Sequence, residues 1–239
     1  MKWKEQFIQS RWPIPFPEFT VVPGTTALLI IDMQYYLHPD YGVGKVIKER
    51  FPDVAHYFIP RLKEIVVPNI GRLQEFFRRN SMRIVFTTIG PELPDGSDMI
   101  RRRRNRDSHA VKDLGAPHLF PKDAKEHEIL QELSPRPGEL VINKNCSSPF
   151  NCGGIDQILR NMGIESLIVT GLSTDACVVT TARDAADRGY NCIIVEDACA
   201  AFDPLSHEAE LFSYARIFGK VMTSEEVIAQ LGGRTVTPA

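Results

Sequence analysis

The sequence predicts an α/β fold, a single-domain three-layer αβα arrangement with a Rossmann-like, mostly parallel six-stranded sheet and helices on both faces. Three observations carry that expectation. Short runs with apolar centres recur at 27–31, 83–88, 140–144, 167–170, 192–196 and 220–222, the first of them apolar throughout, as suits a strand buried on both sides. Most are separated by stretches of helical spacing long enough for right-handed crossovers. Finally, Asp32, Lys144 and Cys177 fall at or just past the ends of three different runs. An open α/β sheet forms its ligand crevice there, beyond the carboxyl ends of its strands.

Taken in order, residues 1–26 contain Trp12-Pro-Ile-Pro-Phe-Pro17 and read as an ordered arm without regular structure. The first strand delivers Asp32 at its end. Residues 36–60 form an insertion rich in aromatics and glycine. Leu62, Ile65, Val66, Ile70, Leu73, Phe76 and Phe77 give 61–80 helical spacing, with Pro68 predicting a kink. After the second strand, 90–135 is a second insertion, charged and loop-like through 125. The third strand ends at Lys144 and leads through a cysteine, serine and proline turn to a helix near 155–161 that stops at Gly163. The fourth strand breaks at Gly171 and restarts as a helix carrying Cys177 and running to about Gly189. A fifth strand, a helix over 206–218, a short sixth strand and a helix over 224–231 complete the chain. No repeat, low-complexity tract or linker divides it, so one domain over 1–239 is expected.

Composition narrows the function classes. The 239 residues carry 43% apolar and 24% charged side chains with a net charge of −2, so no global field draws nucleic acid or an anionic membrane. No apolar run approaches the ~20 residues of a membrane-spanning helix, and the N-terminus lacks a signal-peptide core. Five cysteines, odd in number and mostly within apolar text, fit a reduced cytoplasm better than a disulfide framework. The run Arg101-Arg-Arg-Arg-Asn-Arg106 is surrounded by Asp95, Asp98, Asp107 and Asp113. It reads as a solvated helix or loop, or an intersubunit salt-bridge patch. One of these arginines reaching over a pocket to grip a carboxylate or ureido oxygen stays open, without a choice among them.

The chemistry centres on Cys177. A thiol in the first turn of a helix faces unpaired N–H groups and the positive end of the dipole, which favour thiolate. Preferential labelling of Cys177 by iodoacetamide over the other four thiols is therefore expected. A thiolate there can attack a carbonyl carbon while nearby N–H groups take the oxyanion, so the segment reads as a nucleophile elbow built on sulfur. Asp32, with Lys144 beside it, is placed to take the thiol proton and return it. The plainer readings are a packed thiol, a turn-capping aspartate and an ordinary strand-end lysine. Cys146, Cys152, Cys192 and Cys199 read as packing thiols, with a pocket-lining role left open for Cys146 and Cys152 because they lie close to Lys144 in sequence. Tyr35, Phe150 and Leu172 are candidate substrate-lining residues, with Tyr36 considered beside them.

Ile30-Ile-Asp-Met-Gln34, Lys144, Thr170-Gly-Leu-Ser-Thr-Asp-Ala-Cys-Val178 and Thr181-Ala-Arg-Asp-Ala185 together resemble the isochorismatase-like cysteine hydrolases, over roughly residues 25–230. The resemblance implies a catalytic triad of Asp32, Lys144 and Cys177. It also implies a cis peptide between Leu172 and Ser173 that aims the Ser173 N–H beside that of Cys177 as an oxyanion hole. Members cleave small amides and ureido compounds such as nicotinamide, N-carbamoylsarcosine, ureidoacrylate and biuret, and they assemble as homo-oligomers such as tetramers. Isochorismatase itself lacks the cysteine. Nicotinamidases carry a metal-binding Asp-x-His after the second strand, but here that stretch reads Thr87-Thr-Ile-Gly-Pro-Glu-Leu-Pro-Asp95. The six histidines are scattered, so no metal and no cofactor are expected. The expectation is a metal-independent cysteine amidohydrolase acting on a small ureido, carbamoyl or amide compound through a thioester. Nucleic acid and membrane are not expected as partners. The alternatives are a nicotinamidase-type metal-assisted amidase and a non-catalytic oligomeric binding protein of the same fold.

Overall fold

Six parallel strands form one sheet in the computed structural model, which describes residues 2–9 and 12–233. They are β1 (Thr26–Ile31), β2 (Arg83–Ile89), β3 (Leu140–Lys144), β4 (Ser166–Leu172), β5 (Asn191–Ala200) and β6 (Lys220–Met222), in the spatial order β3-β2-β1-β4-β5-β6. The chain therefore builds outward from β1 in one direction, then returns to place β4 on its other side. β1 and β4 flank the point where strand order reverses, and β1 and β4 are buried at every position. An all-parallel sheet needs such two-sided cover, because its crossovers lay helices over both faces.

The helices are α1 (Lys2–Gln9), α2 (Gly42–Arg50), α3 (Pro52–Pro60), α4 (Val67–Arg79), α5 (Arg101–Leu114), α6 (Ile155–Asn161), α7 (Val179–Asp187), α8 (Pro204–Ile217) and α9 (Ser224–Leu231). α4 packs with α9, α7 packs with α8, and all four touch β5. On α4 the inward stripe is Ile70, Leu73, Gln74 and Phe77, at the spacing of one helix face. α9 starts on a capping box, with Thr223 Oγ1 accepting from the Glu226 N–H and Glu226 closing back on the Thr223 N–H.

Two expectations are corrected, for the N-terminal arm and the segment after β2, and one segment whose structure was left open is filled in. The N-terminal arm is not irregular throughout: α1 forms because Trp3 and Phe7, four apart, share one face. Trp3 donates its indole N–H to Glu196 at 3.1 Å, and the Phe7 ring meets Phe212 of α8. The first insertion is helical, and α3 runs on through a π-helical stretch, Arg61–Val66, into α4. Pro60 and Pro68 bracket that stretch, each lacking the N–H that an α-helical ladder would use, and the register widens between them. The charged segment after β2 is not all loop, since it contains α5, ended by Gly115 at φ +66°. β4 and β5 also run further than their apolar cores suggest, with a register shift between Val169 and Gly171.

Gly171 explains how β4 approaches β1 there. Its φ is +109°, and a Cβ at this position would stand 2.0 Å from the Ile31 carbonyl oxygen. Only glycine permits that contact. It brings the end of β4 directly against the residue that precedes Asp32.

Candidate active site

The ends of β1 and β4 meet at the reversal point, and Lys144, at the end of edge strand β3, reaches in from two strands away. Asp32 follows β1 and adopts φ +50°, a left-handed conformation that an aspartate tolerates better than most residues. Its N–H donates to the Thr87 carbonyl at 3.1 Å and its own carbonyl accepts from the Gln34 N–H at 2.9 Å, so the chain turns out of the sheet. Gln34 then ties β1 to its surroundings. Its Oε1 accepts from the Ile89 N–H at 2.8 Å, and its Nε2 donates to the His127 carbonyl at 2.7 Å. The Asp-Met-Gln sequence thus pairs a displayed carboxylate with an amide that fixes its loop.

The side chains meet in the interior. Lys144 Nζ lies 2.7 Å from Asp32 Oδ2, with both side chains wholly buried. The same ammonium donates to the Cys146 carbonyl at 3.1 Å and reaches Cys177 Sγ at 3.4 Å. Thr87 Oγ1 donates to the other Asp32 oxygen at 2.8 Å. Cys177 is 3% exposed and sits in a π-helical turn, Thr174–Val178, wedged between β4 and α7. The Ser173 carbonyl accepts from the N–H groups of both Ala176 and Val178 at 3.1 Å, and Thr181 Oγ1 donates to the Cys177 carbonyl at 2.6 Å. The Leu172–Ser173 peptide is cis.

Burial and the helix end act in opposite directions on the sulfur. Burial pushes the Cys177 thiol above its usual value; Lys144 and Arg103 pull it back only in part, and Asp32 adds to the rise. The resting form is therefore the thiol, because helix-end polarity competes here with nearly complete removal of water. For Lys144 burial opposes the ammonium, yet the Asp32 carboxylate, foremost among its neighbours, holds the group above its ordinary value.

Of the candidate lining residues, Leu172 is buried at the end of β4, immediately before Ser173. Tyr35 turns elsewhere: its ring lies under Lys125 Nζ at 4.0 Å, and its hydroxyl accepts from the Gln131 N–H. Phe150 stands beside Tyr190 and Arg188. Tyr36, the neighbour of Tyr35 in a tight 3-10 turn, points the other way, and burial raises its phenol, with the Asp32 carboxylate adding to the rise and Arg103 opposing it.

Sequence reading did not single out Arg103. Alone among the arginines of its run it is buried, at 8% exposure, and its Nη2 donates to Cys177 Sγ at 3.2 Å. Its neighbour Arg102 reaches Ser147 Oγ at 2.9 Å, anchoring the start of α5 to the loop after β3. The signal was present: Arg103, Asp107, Ala110 and Leu114 form the less exposed stripe of α5 at helical spacing, so the two apolar members fix which arginine faces inward.

Cys146 and Cys152 also lie close by. Their sulfurs are 3.5 Å apart, and the hydrogen bond from Cys146 lowers the half-buried Cys152 thiol to about 6. Among the described residues, no group of three or more His, Cys, Asp or Glu side chains is placed to share a metal ion. His127 Nδ1 meets the Phe120 carbonyl, and His207 bridges Thr174 and Arg61.

Comparison with known proteins places this geometry. The isochorismatase domain matches residues 26–226. An isochorismatase family protein of Bacillus subtilis, YwoC, is 29% identical over 207 residues, covering 86% of this chain and 94% of that protein. The ureidoacrylate amidohydrolase RutB of Pseudomonas savastanoi pv. phaseolicola is 26% identical, over 85% of this chain and 82% of its own length. Among solved structures, a cysteine hydrolase from Pseudomonas syringae pv. phaseolicola superposes with a TM-score of 0.75 at 23% identity, over 93% of this chain and 99% of its own. The N-carbamoylsarcosine amidase from Thermoplasma acidophilum does so with a TM-score of 0.61 at 25% identity, over 84% and 97%.

Proposed function

The chain belongs to the isochorismatase domain family, and from that premise we propose that it is a metal-independent cysteine amidohydrolase cleaving a C–N bond of a small ureido, carbamoyl or amide compound. The observation that carries this reading is the Lys144 ammonium bridging Asp32 at 2.7 Å and Cys177 at 3.4 Å in a fully buried site. A packing thiol requires no such neighbours, and a buried ion pair is costly to keep.

Because the sulfur rests as a thiol, attack needs a proton acceptor. Asp32 takes the proton as Sγ bonds to the carbonyl carbon, and the carbonyl oxygen gains negative charge. The amides of Ser173 and Cys177 hold that oxyanion. The tetrahedral species collapses to a thioester as the C–N bond breaks, and protonated Asp32 passes its proton to the departing ammonia or amine. Water then enters, Asp32 accepts its proton, and hydroxide adds to the thioester. Collapse expels the Cys177 sulfur, which recovers the proton. Lys144 keeps the carboxylate and the sulfur in register throughout, and Thr87 fixes the second carboxylate oxygen.

Screening small amides and ureas for ammonia release, with intact mass of acid-quenched enzyme, tests this. The expected result is a substrate-derived adduct on Cys177, turnover insensitive to chelators, and a loss of about 10⁴-fold or more in Cys177→Ala with the fold retained. Undiminished ammonia release by Cys177→Ala would remove the nucleophile assignment.

A further inference from the structure

Cys146 and Cys152 take no part in the hydrolytic cycle, yet they are arranged as a pair. Their sulfurs meet at 3.5 Å because the 3-10 turn Pro149–Asn151 folds the chain between them back on itself. Ser148 Oγ caps that turn by accepting from the Phe150 N–H, and the Ser148 carbonyl accepts from the Cys146 thiol at 3.1 Å. Both thiols are free, Cys146 buried and Cys152 half-buried. An accessible thiol with a second sulfur poised to resolve it is the arrangement that keeps oxidation reversible. The same loop holds the lysine of the site. The Cys146 carbonyl accepts from Lys144 Nζ at 3.1 Å, and that ammonium also touches Asp32 and Cys177. Further along, Asn151 donates to Asp184 of α7, the helix that follows the nucleophile turn, at 2.8 Å.

We propose that Cys146 and Cys152 are a modification site, a dithiol that a peroxide or a low-molecular-weight disulfide closes to a disulfide, and that closure slows turnover by drawing the Cys146 carbonyl away from Lys144. The dithiol stands apart from the amidohydrolase reading; only its effect on turnover rests on that reading. With hydrogen peroxide, the Cys152 thiolate bonds to one oxygen, the O–O bond breaks and hydroxide leaves, which gives a sulfenic acid. The Cys146 sulfur then bonds to Cys152 Sγ, and hydroxide departs as the S–O bond breaks. Two thiols lose two electrons and two protons, and one peroxide becomes two waters. Oxidised glutathione reaches the same product through a mixed disulfide and leaves as two molecules of glutathione. Bonded sulfurs stand about 2 Å apart, so a pair now at 3.5 Å must draw together by roughly 1.5 Å. The loop takes up that movement between Gly153 and Gly154 on one side and the carbonyl held by Lys144 on the other.

Trypsin cuts after Lys144 and Arg160, so both thiols fall in one peptide, 145–160. Folded protein is incubated with oxidised glutathione, denatured in iodoacetamide to cap free thiols, and digested. The expected product is that peptide two hydrogens lighter and uncapped, with Cys177 capped and therefore still free. The kcat of the oxidised wild type should fall about 10-fold or more and return with dithiothreitol, while Cys152→Ser keeps its basal activity and resists the oxidant. A 145–160 peptide that stays a dithiol overturns the proposal, as does a closed disulfide that leaves kcat unchanged. Equal loss of activity in Cys152→Ser also overturns it, because the oxidant then acts on Cys177. Should no amide or urea be hydrolysed, the amidohydrolase reading falls, and the alkylation rate of Cys177 in the folded protein replaces kcat. A reversible change of about 3-fold or more on closure, absent from Cys152→Ser, supports the coupling to Lys144, and an unchanged rate overturns it.

Discussion

Removing Asp32 should cost more stability than removing Lys144, although the two form one ion pair. Breaking a fully buried pair costs about 3–5 kcal/mol, because the surviving charge is left uncompensated. Here a third charge decides the order. Lys144→Met leaves one carboxylate and one guanidinium around the sulfur, a net charge of zero, and belongs at the lower end of that range. Asp32→Asn leaves two cations and no anion, and belongs at the upper end. For a chain of this size the corresponding drop in melting temperature is about 6–20 °C. The pH dependence changes sign as well. In the wild type Lys144 is held above its free value, so its stabilisation is fully present below that value and is lost as pH rises through the raised one. In Asp32→Asn burial and Arg103 remain and the carboxylate is gone, so the lysine falls below its free value and stability rises as it sheds its proton. Circular-dichroism melts at pH 7 and pH 9 should show the gap between wild type and Asp32→Asn narrowing at the higher pH. A gap constant with pH, or a larger loss in Lys144→Met, would refute this account of the charges.

Two further outcomes follow from the geometry. Iodoacetamide at pH 7 should label the half-buried Cys152 before Cys177, and Cys177 should gain reactivity only as pH climbs above the ordinary thiol range; peptide mass mapping over time reads the order, and Cys177 reacting first at pH 7 would contradict the burial argument. Gly171→Ala places a methyl group against the Ile31 carbonyl at a backbone angle that only glycine adopts freely, and should cost more than about 4 kcal/mol or abolish folding, as read by soluble yield and urea unfolding. A near-native denaturation midpoint would show that β1 and β4 can separate.

The strands were legible because burial on both faces leaves apolar runs in the text, and the polar residues closing those runs marked the crevice. Harder to read was whatever depends on the third dimension. α1 was hidden because the Pro-rich stretch after it suggested irregular chain, whereas Trp3 and Phe7 form a stripe only in view of α8. α5 has just two apolar inward residues, too few to stand out from its charge, so the buried arginine passed as surface. The depth of the thiol was hidden for a related reason: the start of a helix is visible in sequence, but the extension of β4 to Leu172, just ahead of the buried sulfur, is not.

The tether between Trp3 and Glu196 spans 193 residues, and Lys4 reaches the same carboxylate at 2.6 Å. On a ribosome adding about 5–20 residues per second, the opening helix therefore waits roughly 10–40 s for its anchor to be made. Throughout that interval the aromatic face of this helix lacks the partner it has in the finished fold. A helix that precedes the whole sheet in sequence is thus among the last elements to settle.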